Sequence, residues 1–120
     1  MNKQKEKTRV IGLKSGTLVE VTGKVIEIKE YQTSDNQTAH CFLLKNVLVH
    51  EYNEYLDHVW VSYLKESNKM TAKSFSSVQM DDVIRIEGFS QKYYRKKVGD
   101  IDYSIRRINL KQNYGKEFEY

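Results

Sequence analysis

The sequence predicts a small all-β domain folded as a five-stranded barrel. Alternating apolar and polar residues and β-branched runs recur along the chain, while the helical period is hard to find anywhere in it. Clusters of Gly, Ser, Asn and Asp separate those runs. At 120 residues there is room for one ordinary core, and the lone Cys41 has no partner for a disulfide.

Residues 1–16 read as a flexible basic arm ending in a turn at Lys14-Ser15-Gly16. The first strand covers residues 17–31. Val19, Val21 and Val25 share one parity with Gly23, and Ile26 and Ile28 take the other. A slip of one residue reverses the facing of every later side chain, so a bulge is expected near Val25. Gly23 suits the accompanying bend, and a long bent first strand is what a small barrel requires. Gln32-Thr33-Ser34-Asp35-Asn36 is a turn by composition. The second strand covers residues 38–49; its run Cys41-Phe42-Leu43-Leu44 is apolar on both faces, leaving its inward side open. Residues 51–57 form a polar, tyrosine-bearing loop and residues 58–64 the third strand. Residues 65–80 accommodate one short helix, with Met70, Phe75, Val78 and Met80 as apolar anchors. The fourth strand, residues 83–94, alternates Ile84 and Ile86 against Arg85 and Glu87. A turn at Lys96-Lys97-Val98-Gly99-Asp100 leads to the fifth strand, residues 101–110. The domain is expected to span residues 17–112, with residues 113–120 a C-terminal tail.

Five strands with a helix between the third and fourth resemble the OB fold. The stretch Met80-Asp81-Asp82-Val83-Ile84-Arg85-Ile86-Glu87-Gly88 looks like the start of the fourth strand in many OB domains, with Asp81 where glycine is common. Asp57-His58-Val59-Trp60-Val61 is similar to small OB-like proteins of Gram-positive bacteria and their mobile elements. The resemblance covers about residues 17–112 and implies an OB-type Greek-key barrel. It also implies a groove formed by the loop between strands four and five with the faces of strands two and three.

The net charge of +4 is unevenly spread. Residues 1–16 carry five basic side chains against one acidic, residues 91–111 seven against two, and residues 17–90 seven against eleven. Binding single-stranded nucleic acid requires cations along the phosphates and flat rings on the unpaired bases. The hairpin from Phe89 to Arg107 supplies both. Lys92, Arg95, Lys96 and Lys97 are the expected phosphate contacts, and Phe89 and Tyr93, which share parity, the stacking platforms; Tyr103, Arg106 and Arg107 follow after the turn. The competing reading packs Tyr93 or Tyr94 in the core and leaves the lysines solvated. Trp60 shares parity with His58 and Ser62, opposite Val59, Val61 and Tyr63. If the valines face inward, Trp60 is available to a base; if they do not, Trp60 is core and Tyr63 takes its place. Lys3, Lys5, Lys7 and Arg9 add a basic arm for phosphates or simply a solvated terminus.

The leading expectation is therefore a module for single-stranded DNA or RNA with weak sequence preference, serving replication or recombination of a mobile element. The alternative is a protein-interaction module, an accessory subunit or inhibitor of a nucleic-acid-processing enzyme, using the acidic, aromatic loop Glu51-Tyr52-Asn53-Glu54-Tyr55. Oligosaccharide binding would use the same aromatics, but the clustered lysines argue against neutral sugars. No cofactor, metal or catalysis is expected. Adjacent His40 and Cys41 point to opposite faces of a strand, His50 and His58 lie further on, and no zinc-ligand spacing, glycine-rich phosphate loop or nucleophile motif occurs. With no apolar stretch after the charged run Asn2–Lys7, a cytoplasmic protein without membrane association is expected.

Overall fold

The computed structural model describes residues 15–95 and 100–120, with the backbone alone at 93–95 and 100–102. Among these, the elements are β1 (Leu18–Gln32), β2 (Thr38–Val49), β3 (Glu54–Leu64), α1 (Lys69–Phe75), β4 (Val83–Arg95) and β5 (Asp100–Gly115). The strands close into a barrel in the order β1-β2-β3-β5-β4. β1 makes the closure possible by pairing with β4 through Leu18–Lys24 and with β2 from Val21 to Gln32. The expected bulge is there: the β1–β2 register shifts between Thr22 and Lys24 and again between Val25 and Glu27. The last closure is short and parallel, Trp60, Val61 and Ser62 of β3 against Ser104, Ile105 and Arg106 of β5.

The barrel is filled by one apolar cluster that includes Val19, Val21, Val25, Phe42, Leu44, Val61, Ile84 and Ile86. β2 changes parity within itself. Phe42 and Leu44 face inward, Asn46 takes a left-handed conformation (φ 54°), and Val47 and Val49 then face inward. Cys41 is also buried but lies outside the core cluster, on the outer side of the same strand. This explains why the 41–44 run shows no facing of its own.

Helix α1 plugs one end of the barrel. Asn68 caps it, its Oδ1 accepting from the Met70 and Thr71 amides at 3.1 Å each. Phe75 stacks between Phe42 and Tyr63, with ring centroids 5.3 and 5.1 Å away. A helix this short turns one stripe to the barrel, here Thr71 and Phe75, one helical repeat apart. Met70 and Met80 are therefore not anchors as expected: they are 81% and 46% exposed, whereas Phe75 and Val78 are buried.

Asp81 has φ 74°, the left-handed conformation that makes glycine common at that place. Its amide donates to the Val25 carbonyl at 2.8 Å and the Val25 amide donates to the Asp82 carbonyl at 2.9 Å, tying this turn to the β1 bulge. β3 begins at Glu54, four residues before the expected start, because the β2–β3 connection is a tight turn closed by Asn53 at φ 52°. β5 likewise passes the expected limits at 110 and 112, since Ile84 and Val83 need partners and find them in Asn113 and Gly115. Residues 116–120 fold back on the barrel: Phe118 stacks on Tyr114 at 3.9 Å, and the Tyr120 hydroxyl donates to the Asn46 carbonyl at 2.8 Å.

Candidate nucleic-acid interface

Because Val59, Val61 and Tyr63 are buried, Trp60 and Ser62 project from the outer face of β3. Register then sets two rows across the barrel. One runs Lys29, Cys41, Ser62, Arg106, Phe89, each paired with the next on the adjacent strand. The other runs Glu27, Leu43, Trp60, Ser104, Gln91. Cys41 and Ser62, small side chains in the middle of the first row, leave a trough beside the Trp60 ring of the second. Lys29 Nζ lies 4.8 Å from the Trp60 ring centroid, and the Arg107 guanidinium carbon 5.6 Å from that of Phe89.

Arg106 and Arg107 are consecutive yet both exposed, which a regular strand forbids. The β4–β5 register shifts between Glu87 and Phe89, and Arg107 sits at φ 55° in the resulting bulge. The bulge turns both arginines outward while Ile105 and Ile108 stay buried. A groove of about 900 Å³ runs beside the two arginines, lined by Tyr31, Ala39, Ser62, Phe89, Lys92, Arg106 and Arg107 among others; Lys29 and Trp60 are not part of its lining. The lining also includes the uncharged polar residues Thr33, Gln37, Asn68 and Asn109, and Asp35.

Half of the described lysines and arginines other than Lys29, Lys92, Arg106 and Arg107 are held in ion pairs. Lys65, Arg85, Lys111 and Lys116 are paired with Glu30, Glu20, Glu87 and Asp82. Among the described residues, no ion pair engages Lys29, Lys92, Arg106 or Arg107. Burial pushes the Cys41 thiol up, and the charges of Lys29 and Arg106 partly offset it.

Of the residues expected at the site, Trp60, Phe89, Arg106 and Arg107 lie on this face; Lys92 lines the groove, but in register it pairs with Tyr103 and so has the opposite parity to Phe89 and Gln91. Tyr103 does not lie on this face: it is 7% exposed and part of the core, because its parity on β5 is that of Ile105. Its ring cannot stack on a base. The side chains of Tyr93, Tyr94 and Arg95 lie outside the described residues, as do Lys96, Lys97 and the basic arm through Arg9. The sequence reading missed Lys29, Tyr31 and Ser62. The signal for two of them was present, since carrying the Val25 bulge forward places Glu27, Lys29 and Tyr31 on the outward parity of β1.

Two of the histidines are tied into the barrel and the third is exposed. His40 Nδ1 is 2.7 Å from the Tyr63 hydroxyl, His50 Nε2 is 2.7 Å from Thr22 Oγ1, and His58 lies 3.5 Å from Asp57. No group of three potential metal ligands stands together among the described residues. No helix among them is long and apolar enough to cross a membrane.

A closed five-stranded barrel with its helix between the third and fourth strands, in this strand order, is an OB fold. Among solved structures the chain is similar to the mitochondrial single-stranded DNA binding protein Rim1 of S. cerevisiae, with a TM-score of 0.55 and 12% sequence identity. The likeness covers 83% of this chain and 98% of that one, and at this identity it is a likeness of fold. No protein-family model and no curated protein matches the sequence.

Proposed function

We propose that the protein binds single-stranded nucleic acid, with weak sequence preference, along the outer face of β1, β2, β3 and β5. The carrying observation is the row from Lys29 to Phe89, where Lys29 and Arg106, cations without an ion pair among the described residues, and the Phe89 ring stand about Cys41 and Ser62, with the Trp60 ring in the row beside it. Rings accept any base and cations any phosphate, so such a face grips a strand without reading it. Lys92, Arg95, Lys96 and Lys97 extend the phosphate track toward the β4–β5 connection, and Tyr93 adds a ring to it. The similar fold of a single-stranded DNA binding protein supports the reading. The role is binding rather than catalysis, in the cytoplasm, during replication or recombination of a mobile element, beside an enzyme of that process. The test is a fluorescently labelled single-stranded oligonucleotide titrated at 50 mM and 200 mM salt. Binding that weakens steeply with salt supports the proposal, and no binding at the lower concentration removes it. Lys96→Ala with Lys97→Ala should weaken binding and flatten the salt slope by roughly 0.7 per lost contact.

A second reading, a protein-interaction module, rests on another surface. Tyr52 is 41% exposed and Phe118 39% exposed, each next to glutamates. Stoichiometric co-purification of an enzyme, without oligonucleotide binding, would favour it.

A further inference from the structure

The two rings that flank the trough are not bare. Lys29 Nζ stands 4.8 Å over Trp60 and the Arg107 guanidinium 5.6 Å over Phe89, and no carboxylate among the described residues engages either cation. The ammonium of Lys29 therefore covers the indole from which a base would gain its stacking energy. We infer that a nucleic-acid strand binds this face by exchange. A base displaces the Lys29 ammonium from Trp60, and the released ammonium moves to the phosphate of that nucleotide. Lys29 thus has two roles of opposite sign, a cap on the ring before binding and a phosphate contact after it. This inference rests on the proposed nucleic-acid function and names the residue that sets the affinity of its Trp60 position.

Exchange is favourable in magnitude. An exposed cation–π contact is worth a factor of about two to five in an equilibrium, whereas stacking a base on a ring is worth about five to a hundredfold or more. The geometry permits it. Lys29 is exposed on a strand and leads Cys41 in the row, so its side chain can swing along the trough without disturbing the barrel. Arg107 differs, since its planar guanidinium can stay on Phe89 and itself present a face to the next base.

The two roles separate with salt. A lysine that only contacts phosphate leaves, when removed, a shallower salt dependence whose line meets the wild-type line at high salt without passing it. Removing a cap as well raises the salt-independent part of the affinity. Lys29→Ala should bind more weakly than wild type at 50 mM salt and about two- to fivefold more tightly as salt approaches 1 M, so the lines cross. In a Trp60→Ala background, Lys29→Ala should show only the weakening. Trp60 is the single tryptophan, so its emission reports the cap directly. Lys29→Ala should alter the emission of the free protein, and saturating oligonucleotide should bring the two proteins to the same spectrum. Wild-type binding with lines that converge or stay parallel would overturn the exchange while leaving the nucleic-acid reading intact. A wild type that binds no oligonucleotide would overturn both.

Discussion

Gly88 shows how one residue holds the site open. A Cβ there would lie 2.7 Å from Ile105 Cγ2, 2.8 Å from the Arg106 carbonyl and 2.9 Å from Ile108 Cγ2. The carbonyl belongs to the bulge that turns Arg106 and Arg107 outward, and backbone cannot retreat as a side-chain tip can. Gly88→Ala should cost about 1–3 kcal/mol by urea denaturation, and oligonucleotide affinity should fall with it as the bulge shifts. Arg107 offers the opposite test. Its φ of 55° suits glycine, so Arg107→Gly should leave the melting temperature unchanged or higher while weakening binding. A variant that loses stability instead would mean that the arginine holds the bulge together. Trp60→Ala should weaken oligonucleotide binding by about 1–3 kcal/mol, the usual value of one stacked base, with little change in unfolding midpoint.

At the scale of elements, α1 is held by its plug and its cap. Phe75 is 1% exposed between two rings of the barrel, and Phe75→Ala should cost about 3–5 kcal/mol. Asn68→Ala removes the side-chain acceptor of two amides and should cost about 1 kcal/mol; unfolding midpoints in denaturant measure both. Because Tyr63, Asn68 and Thr71 also line the groove, loss of the plug should reduce binding more than loss of the cap. An unchanged affinity in Phe75→Ala would show that the groove does not depend on the helix.

At the scale of the whole molecule, the half-buried His40 and His50 and the buried Asp82 set how stability responds to acid. Burial is the main cause holding His40 and His50 below the ordinary histidine value of 6.5. The unfolded chain then takes up protons that the folded one refuses, so their contribution is present above that value and is lost as pH falls through it. For Asp82, burial pushes the pKa up, but bonds from the Gln79 amide, Asn113 and Lys116 prevail and leave it below 3.8. Its contribution is lost only in stronger acid. The melting temperature should therefore decline between pH 7 and 5 and again below about pH 4. His40→Gln with His50→Gln should flatten the first decline alone, and a flat wild-type profile from pH 7 to 5 would refute the assignment.

The strand order along the chain, the place of the helix and the β1 bulge were all readable from residue pattern. Each depends on neighbours in sequence: β-branched alternation, the parity break between Val25 and Ile26, and turn chemistry at Thr33–Asn36. The ends of β3 and β5 were not readable, because their extra residues are recruited by partner strands and not by local preference. The site divides in the same way. Trp60 and Phe89 declared themselves as rings on alternating strands, but whether either faces water depends on which side of the sheet closes on the core. Tyr103 carries the same local signal and is buried. Lys29, Ser62, Arg106 and Phe89 are scattered along the chain, and only barrel closure places them in one row. A strand specifies which residues share a face, whereas closure decides which face is wet.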